Sequence, residues 1–461
     1  MSSLNASLAT ALSGLMADQG AMETTTNNVA NVNTPGYSRE EAVLVASDPV
    51  ELDPLTFGTG VTLQSVESIR DPILESQIQQ QSQAQGQFST LTSALQQTQV
   101  NFTTSTGDIG TQISNFFDSI NQLSTNPTDL SLRQTVLTAA GNLATSFNNT
   151  ANNLTQQQQN LDLSVVQTVQ QINQLSQQIA QLNGQISNLQ NVGESAGTFV
   201  DQRTQAIDQL STLVDVSVIP SDNSLTLTTG NGAPLVVGQQ SFQLQTQPTA
   251  SGLHDVYSQA GADITSQITS GQLGGTLQAR DQEIPAIQTQ LDTLAAGIAD
   301  SVNAVQTTGY DLIGNLATNE NFFNPPPANT TGAAASLSVA ITDPSEIAAS
   351  SDGSAGSNGN AEAMYALNSQ AVVGGQSPTD YYSGIVFNVG NDASNASAEQ
   401  TASGLVLQQL NDQRSSISGV NLDEEAANMV QYQDAYAASA QVVTTINDMM
   451  YATIQMSTLT G

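Results

Sequence analysis

The groups able to do chemistry are few. The only histidine, His254, lies in Ala250-Ser251-Gly252-Leu253-His254-Asp255, and there is no cysteine. Six arginines (Arg39, Arg70, Arg133, Arg203, Arg280, Arg414) and no lysine face 40 acidic residues, for a net charge of −34. One imidazole leaves little from which to build a transition-metal site or a nucleophilic triad, and its Gly/Ser-rich setting makes a surface-loop histidine the expectation. Without cysteine there is no disulfide, thiol nucleophile, Cys-ligated zinc or iron–sulfur cluster. Three adjacent carboxylates, Asp423-Glu424-Glu425, could in principle hold a hard cation. They follow Gly419 and Asn421 and open a helical pattern, where carboxylates complement the helix dipole, so capping is the expected role. The expectation is no catalytic, cofactor or metal site. So acidic a chain has no basic footprint for nucleic acid and no attraction to anionic membranes.

The elements that carry these groups read as long and helical. Only 38% of the residues are hydrophobic and 4% aromatic, with Asn, Gln, Ser, Thr and Ala dominant. Such a chain of 461 residues favours two or three domains in an elongated or stacked arrangement over one thick core. The N-terminus has neither the basic start nor the apolar run of a signal peptide, and no window approaches a membrane span. Export, if it occurs, is expected to proceed without a cleaved signal peptide.

The two ends carry matching patterns. Leu4, Leu8, Ala11, Leu15, Met22 and Val29, flanked by Leu12 and Met16, alternate steps of three and four, a coiled-coil seam filled with small side chains. Asn33-Thr34-Pro35-Gly36 stops this helix, because proline disfavours helical geometry before it and glycine frees the turn. At the other end Leu422, Ala426, Met429, Gln433, Tyr436, Ala440, Val443, Asn447, Met450 and Ile454 form a second weakly apolar seam. The two seams read as partners for each other. Helices this poor in large apolar residues are marginal alone, so Met1–Asn33 and about Met429–Gly461 are expected to be disordered in the monomer and to fold on assembly.

Between the ends, Asp71 and Pro72 open a helix with stripe Leu74, Ile78, Phe88, Leu91, Leu95 and Phe102. Further helical patterns cover Ile109–Leu123 and Leu130–Phe147. Leu161 to Leu189 carries an unbroken three–four stripe, read as packing within the chain against Leu74–Phe102 and neighbouring helices or, alternatively, as a dimerising coiled coil. Leu225–Thr228 and Leu235–Val237 flank Gly230-Asn231-Gly232, a hairpin signal. Helix resumes over Leu277–Thr307, a short strand is expected at Leu337–Ile341, and helices near Ala393–Ser416 and Leu422–Gln455 close the chain. The fold class expected is mainly α with a smaller β insertion. Its parts are an N-terminal helix (1–38), a helical body (39–213 and 276–418) interrupted by a β-rich insertion (214–275), and a C-terminal helix (419–461) that completes a split coiled-coil domain.

Ala11-Leu12-Ser13-Gly14-Leu15, Gln19, Asn27-Asn28-Val29-Ala30-Asn31 and Thr34-Pro35-Gly36-Tyr37-Ser38-Arg39 resemble the N-terminal signature of bacterial flagellar axial proteins. The Gly-Tyr-Ser-Arg ending is similar to the hook-associated protein 1 family, as is Gly419-Val420-Asn421-Leu422-Asp423-Glu424-Glu425-Ala426-Ala427-Asn428. Gly58-Thr59-Gly60-Val61, Arg70-Asp71, Val200-Asp201-Gln202-Arg203, Arg280-Asp281 and Gly309-Tyr310-Asp311-Leu312 extend the resemblance through the interior. Glu40 departs from it, standing where Gln is common. The resemblance implies an elongated axial protein with a small outer β domain and no catalysis. It implies subunits that self-assemble into a ring between hook and filament, with the hook protein and a second hook-associated protein as partners. It also implies an export chaperone on the C-terminal segment, type III export, and a place outside the cell. On this reading Leu4, Leu8, Leu12, Leu15, Met22, Val29, Leu422, Ala426, Met429, Tyr436, Ala440, Val443, Met450 and Ile454 pack the terminal helices. Asn27, Asn28, Asn31, Pro35, Gly36, Tyr37, Ser38 and Arg39 form a hinge. The nearest alternative is another axial protein (the second hook-associated protein, hook or flagellin). A secreted enzyme or adhesin would want more His, Cys or paired carboxylates, and a cytosolic scaffold leaves the shared terminal seam unexplained.

Overall fold

The computed structural model describes residues 2–52, 55–102, 107–221 and 224–459. Helix α1 (Ser2–Ala30) leads through a turn to strands β1 (Glu40–Ala46), β2 (Val50–Leu52), β3 (Leu55–Phe57) and β4 (Val61–Ser68). β1 and β4 pair antiparallel and lie against α1, and β2 pairs with β3. α2 (Pro72–Val100) starts where Asp71 accepts hydrogen bonds from the backbone N–H of Ile73 and Leu74. α3 (Ile109–Thr125) follows, then α4 (Leu130–Asn191), opened by Asp129 as cap.

α4 is the spine. Its 62 residues make a rod about 93 Å long at 1.5 Å per residue. The sequence reading divides this stretch into a helix ending near Phe147 and a stripe from Leu161; the structure makes it continuous. Nothing between them breaks a helix: the Asn/Thr/Gln run holds no Gly or Pro, Leu154 is buried, and the buried Gln157 donates to the Ala94 carbonyl and accepts from Thr98 of α2.

Two cores form around the two halves of the rod. The first joins α3, the N-terminal half of α4, α7 (Ile284–Gln306), α9 (Gly359–Ala366) and the start of α10 (Pro378–Ser418). At its centre Phe116, Phe117, Phe322 and Phe323 meet with ring centroids 5.0–5.7 Å apart, tilted or edge-on as aromatic quadrupoles prefer. The second core sets Val165, Val169, Ile172, Ile179 and Ala180 of α4 against α5 (Gly197–Leu213), the four-stranded antiparallel sheet and α6 (Gly271–Gln278). The sheet runs in sequence order from β5 (Val216–Ser221) through β6 (Ser224–Thr229) and β7 (Pro234–Val237) to β8 (Gln240–Ser241). A hairpin of β9 (Gln245–Pro248) and β10 (His254–Tyr257) lies beside it. The Leu161–Leu189 stripe therefore packs within the chain: Leu161 meets Leu91, Ala94 and Leu95 of α2, and the rest lies on α5 and the sheet. The sheet is too small to bury its own inner face, and α4 and α5 complete it.

α2 packs along α10 and crosses α6. A Cβ at Gly275 would stand 2.4 Å from the Gln87 carbonyl oxygen, so the crossing requires glycine. α10 begins at Pro378, capped by Ser377, well before the Ala393 start read from the stripe. Around Leu337–Ile341 a single bridge between Phe323 and Val339 follows the short α8 (Ala333–Ser336) in place of the expected strand. α11 (Leu422–Leu459) closes the described chain, with Asn421 Oδ1 accepting from Asp423 N at 3.1 Å. It runs antiparallel to α1: Glu425 and Tyr432 flank the same cleft as Ala21 and Thr24, and Ser439 lies beside Gly14 and Asp18.

Candidate functional site

The turn after α1 is held by amide side chains. α1 ends at Ala30, where Asn31 Nδ2 donates to the Asn27 carbonyl and to Asn27 Oδ1 at 3.0 and 2.8 Å, and Thr34 donates to Asn31 Oδ1. Gly36 turns the chain with φ +78°, a conformation other residues rarely adopt. Asn28, 1% exposed, is the hub. Its Nδ2 donates to the Glu40 carbonyl, and its Oδ1 accepts from Tyr37 Oη and Glu40 N, all at 2.8–2.9 Å. One buried amide thus joins the end of α1, the turn and the first strand. Asn27 reaches the Glu40 carboxylate at 3.3 Å. Burial pushes the Tyr37 hydroxyl well above its usual range, helped by the Glu40, Asp201 and Glu425 carboxylates, so it stays a neutral donor.

Beyond this hub, Ser38 donates from N and Oγ to the two Asp201 oxygens at 3.1 and 2.8 Å. Asp201 also pairs with Arg70, which reaches Thr204 and the Gly197 carbonyl. Burial nevertheless holds Asp201 above the usual carboxylate range, against the Arg70 charge and the Ser38 bonds. Arg39 N donates to the Ser418 carbonyl at 2.8 Å, and its guanidinium pairs with Glu424 at 2.7 Å. The segment from Asn27 to Arg39 is therefore fastened to α5, to the end of α10 and to the start of α11. Pro35 lies exposed at its outer edge. Arg70 and Asp201 received no role from the sequence; their occurrence in Arg-Asp and Asp-Gln-Arg motifs was the available signal.

On the helix pair, the side chains that sink deepest are small or polar apart from Ile446 of α11: Ala11, Ala17, Ala21, Thr24 and Thr25 on α1, and Glu425 on α11. Leu4, Leu8, Leu15, Met22, Met429, Tyr436, Ala440, Val443 and Met450 are half-buried, whereas Leu12, Val29, Leu422, Ala426 and Ile454 face out. Met16, Val430, Val442 and Met449 are also exposed. α1 and α11 thus meet along a narrow face and leave large apolar side chains uncovered.

His254 is not a free loop histidine. Its backbone N donates to Asp162 Oδ1 at 2.7 Å, and its ring Nδ1 lies 2.7 Å from Asp162 Oδ2. Arg280, 1% exposed, pairs with Asp162 at 2.7 Å and with Asp281, and donates to the His254 carbonyl. A π-helical turn, Ala279–Glu283, presents Arg280 inward. Despite its desolvation, the bonds from His254 and the charges of His254 and Arg280 hold Asp162 below the usual carboxylate range. The cluster joins the waist of α4 to β10 and to the π-helical turn before α7, a structural role that consumes the one imidazole. Among the described residues no group of three or more His, Cys, Asp or Glu could hold a metal ion, and no helix is long and apolar enough to cross a membrane.

The long helical body carries the two chain ends paired beside it, and three flagellar families match along the chain. Residues 8–37 match the family of the flagella basal body rod protein, and residues 412–456 the C-terminal family of the flagellar basal body rod FlgEFG proteins. Residues 78–323 match the helical domain of the flagellar hook-associated protein FlgK. The chain is 31% identical to flagellar hook-associated protein 1 of Bacillus subtilis (strain 168), over 98% of each chain. It is 29% identical to the protein of the same name from Escherichia coli (strain K12), over 97% of this chain and 98% of that one. The chain belongs to the flagellar hook-associated protein 1 family. Its fold matches that of the flagellar hook junction protein FlgK from Burkholderia pseudomallei with a TM-score of 0.67, over 74% of this chain and 100% of that one, at 20% identity.

Proposed function

We propose that this protein is a structural, non-enzymatic subunit of the junction between flagellar hook and filament. The observation that carries the reading is the uncovered apolar surface of the α1/α11 pair, held out from the body by a stiffly bonded hinge, in a chain related end to end to hook-associated proteins. Small residues between the two helices allow a close approach, and the outward Leu12, Met16, Val29, Leu422 and Val442 await helices of neighbouring subunits in a ring. The unit that does this is the split domain of 1–38 and 419–461. The body of 39–213 and 276–418, with the β segment 214–275, faces outward from the axis. Hook protein lies on one side of the ring and a second hook-associated protein on the other. The chain reaches its place through the flagellar export apparatus after a chaperone has covered the C-terminal segment. Deleting the gene and examining cells and medium tests this. Hooks without filaments, with flagellin lost to the medium, are the expected outcome; filaments of normal length would overturn the proposal.

A further inference from the structure

A cleft of about 540 Å³ lies beneath the hinge, bounded by Asn31–Ser38, by Thr204, Gln205 and Asp208 of α5, by Glu75 of α2 and by Arg414–Val420 at the end of α10. Its floor places two carboxylates around one guanidinium nitrogen: Arg414 Nη1 is 3.3 Å from Asp208 Oδ2 and 3.9 Å from Glu75 Oε2. Both acids are largely enclosed, and Asp208 Oδ1 and Glu75 Oε2 are buried without a hydrogen-bond partner. A single, partly exposed guanidinium cannot neutralise two enclosed carboxylates that also repel each other. We propose that this cleft is a proton-operated latch, in which Glu75 and Asp208 hold one proton between them around Arg414 and its loss loosens the joint between the terminal helix pair and the body.

The surrounding charges favour this. Asp71 and Arg70 face the pair from the α2 side, Asp201 from α5, and Arg414 from α10. Tyr37 and Glu40, on the hinge, lie within reach of Asp201 and Arg70. Arg70 is engaged by Asp201, so it adds little at Asp208. Burial, then repulsion from Glu75, raises Asp208 to about 7 against the pull of Arg414. Burial likewise raises Glu75, so the two carboxyls together hold a proton more tightly than free carboxylates would. The connection to the hinge is short. Asp201 and Asp208 lie two turns apart on one face of α5, and Asp201 holds Ser38. Arg414 lies one turn before Ser418, whose carbonyl accepts from Arg39 N. With the proton lost, Asp208 and Glu75 repel across Arg414 and separate the elements that anchor residues 38 and 39. The latch is a property of the single chain and does not depend on the junction role.

A carboxyl raised by folding binds a proton in the closed state that it lacks in the open one, from its ordinary range up to about pH 7. Closed-state stability is therefore full at low pH and lost as pH rises, by about tenfold in the equilibrium per pH unit for one proton, levelling off above that value. Amide exchange on the full chain, corrected for the intrinsic rate at each pH, reads this out in peptides covering residues 197–213 and 405–420. Protection is expected to fall about tenfold between pH 5 and 6 and about fivefold between pH 6 and 7, and to be nearly flat in Asp208→Asn. Glu75→Gln removes the repulsion and is expected to end the fall at lower pH. Parallel profiles for wild type and Asp208→Asn would overturn the latch. Should Asp208→Asn not fold, an unshifted Glu75→Gln profile would do the same.

Discussion

The core around α3 and the terminal pair of α1 and α11 are built from one alphabet and treat water in opposite ways. In the core, four phenylalanines and the aliphatic faces of α3, α4 and α7 are sealed within the chain. Even the guanidinium of Arg133, 1% exposed, is satisfied there by the carbonyls of Pro127 and Ile347. In the terminal pair, alanines and threonines fill the contact while Leu12, Met16, Val442 and Met449 face solvent. Burial of large apolar side chains is the dominant favourable contribution to folding. The body therefore buries its large apolar side chains within the chain, whereas the ends leave several of theirs facing solvent. The segment Asn27–Arg39 between them is held by hydrogen bonds and ion pairs in place of a core of its own.

Substitutions can break that comparison. Phe116→Ala removes a fully buried ring from the aromatic cluster and is expected to cost about 3–5 kcal/mol, read as a lowered denaturant midpoint of the body. A loss below about 1 kcal/mol would mean that the core is loosely packed. Asn28→Ala leaves the Tyr37 hydroxyl and the Glu40 backbone without their partner and is expected to cost about 1–3 kcal/mol. Amide exchange should place that loss in residues 27–41 and leave α3 protected; a loss spread over the whole body would show that the hinge is not a separate unit. The smallest effect on the monomer is expected from Leu12→Gln with Val442→Gln. These exposed sites should change monomer stability by no more than about 0.5 kcal/mol while abolishing motility and filament growth. A monomer destabilised as much as by Phe116→Ala would erase the distinction between the two regions.

Amide exchange on the wild-type monomer sharpens the same comparison. The structure presents Ser2–Ala30 and Leu422–Leu459 as continuous helices. The sequence-based expectation that the ends fold on assembly calls for low protection in both before assembly and high protection after it; strong protection of both ends in the monomer would sink it.

Local signals were legible wherever the chemistry is local. Asp71-Pro72 and Asp129 mark helix starts because a carboxylate caps the N–H groups two and three residues on. Pro35-Gly36 marks a turn for equally local reasons. Matching seams pointed the two ends at each other because both are poor in large apolar residues and rich in Ala and Thr. The tertiary structure alone decided the rest. It fused two helical patterns into α4, because Gln157 and Leu154 found partners on other elements. It turned the α4 stripe toward a small sheet that lacked a second layer. It also allotted the scarce arginines. Arg70 meets Asp201 across 131 residues, Arg280 meets Asp162 across 118, and Arg414 meets Asp208 across 206. Each choice follows from which helix faces come together, and no spacing along the sequence encodes it. His254 became part of a buried cluster for the same reason: its neighbours along the chain read as a loop, and Asp162 and Arg280, distant in sequence, are what it touches.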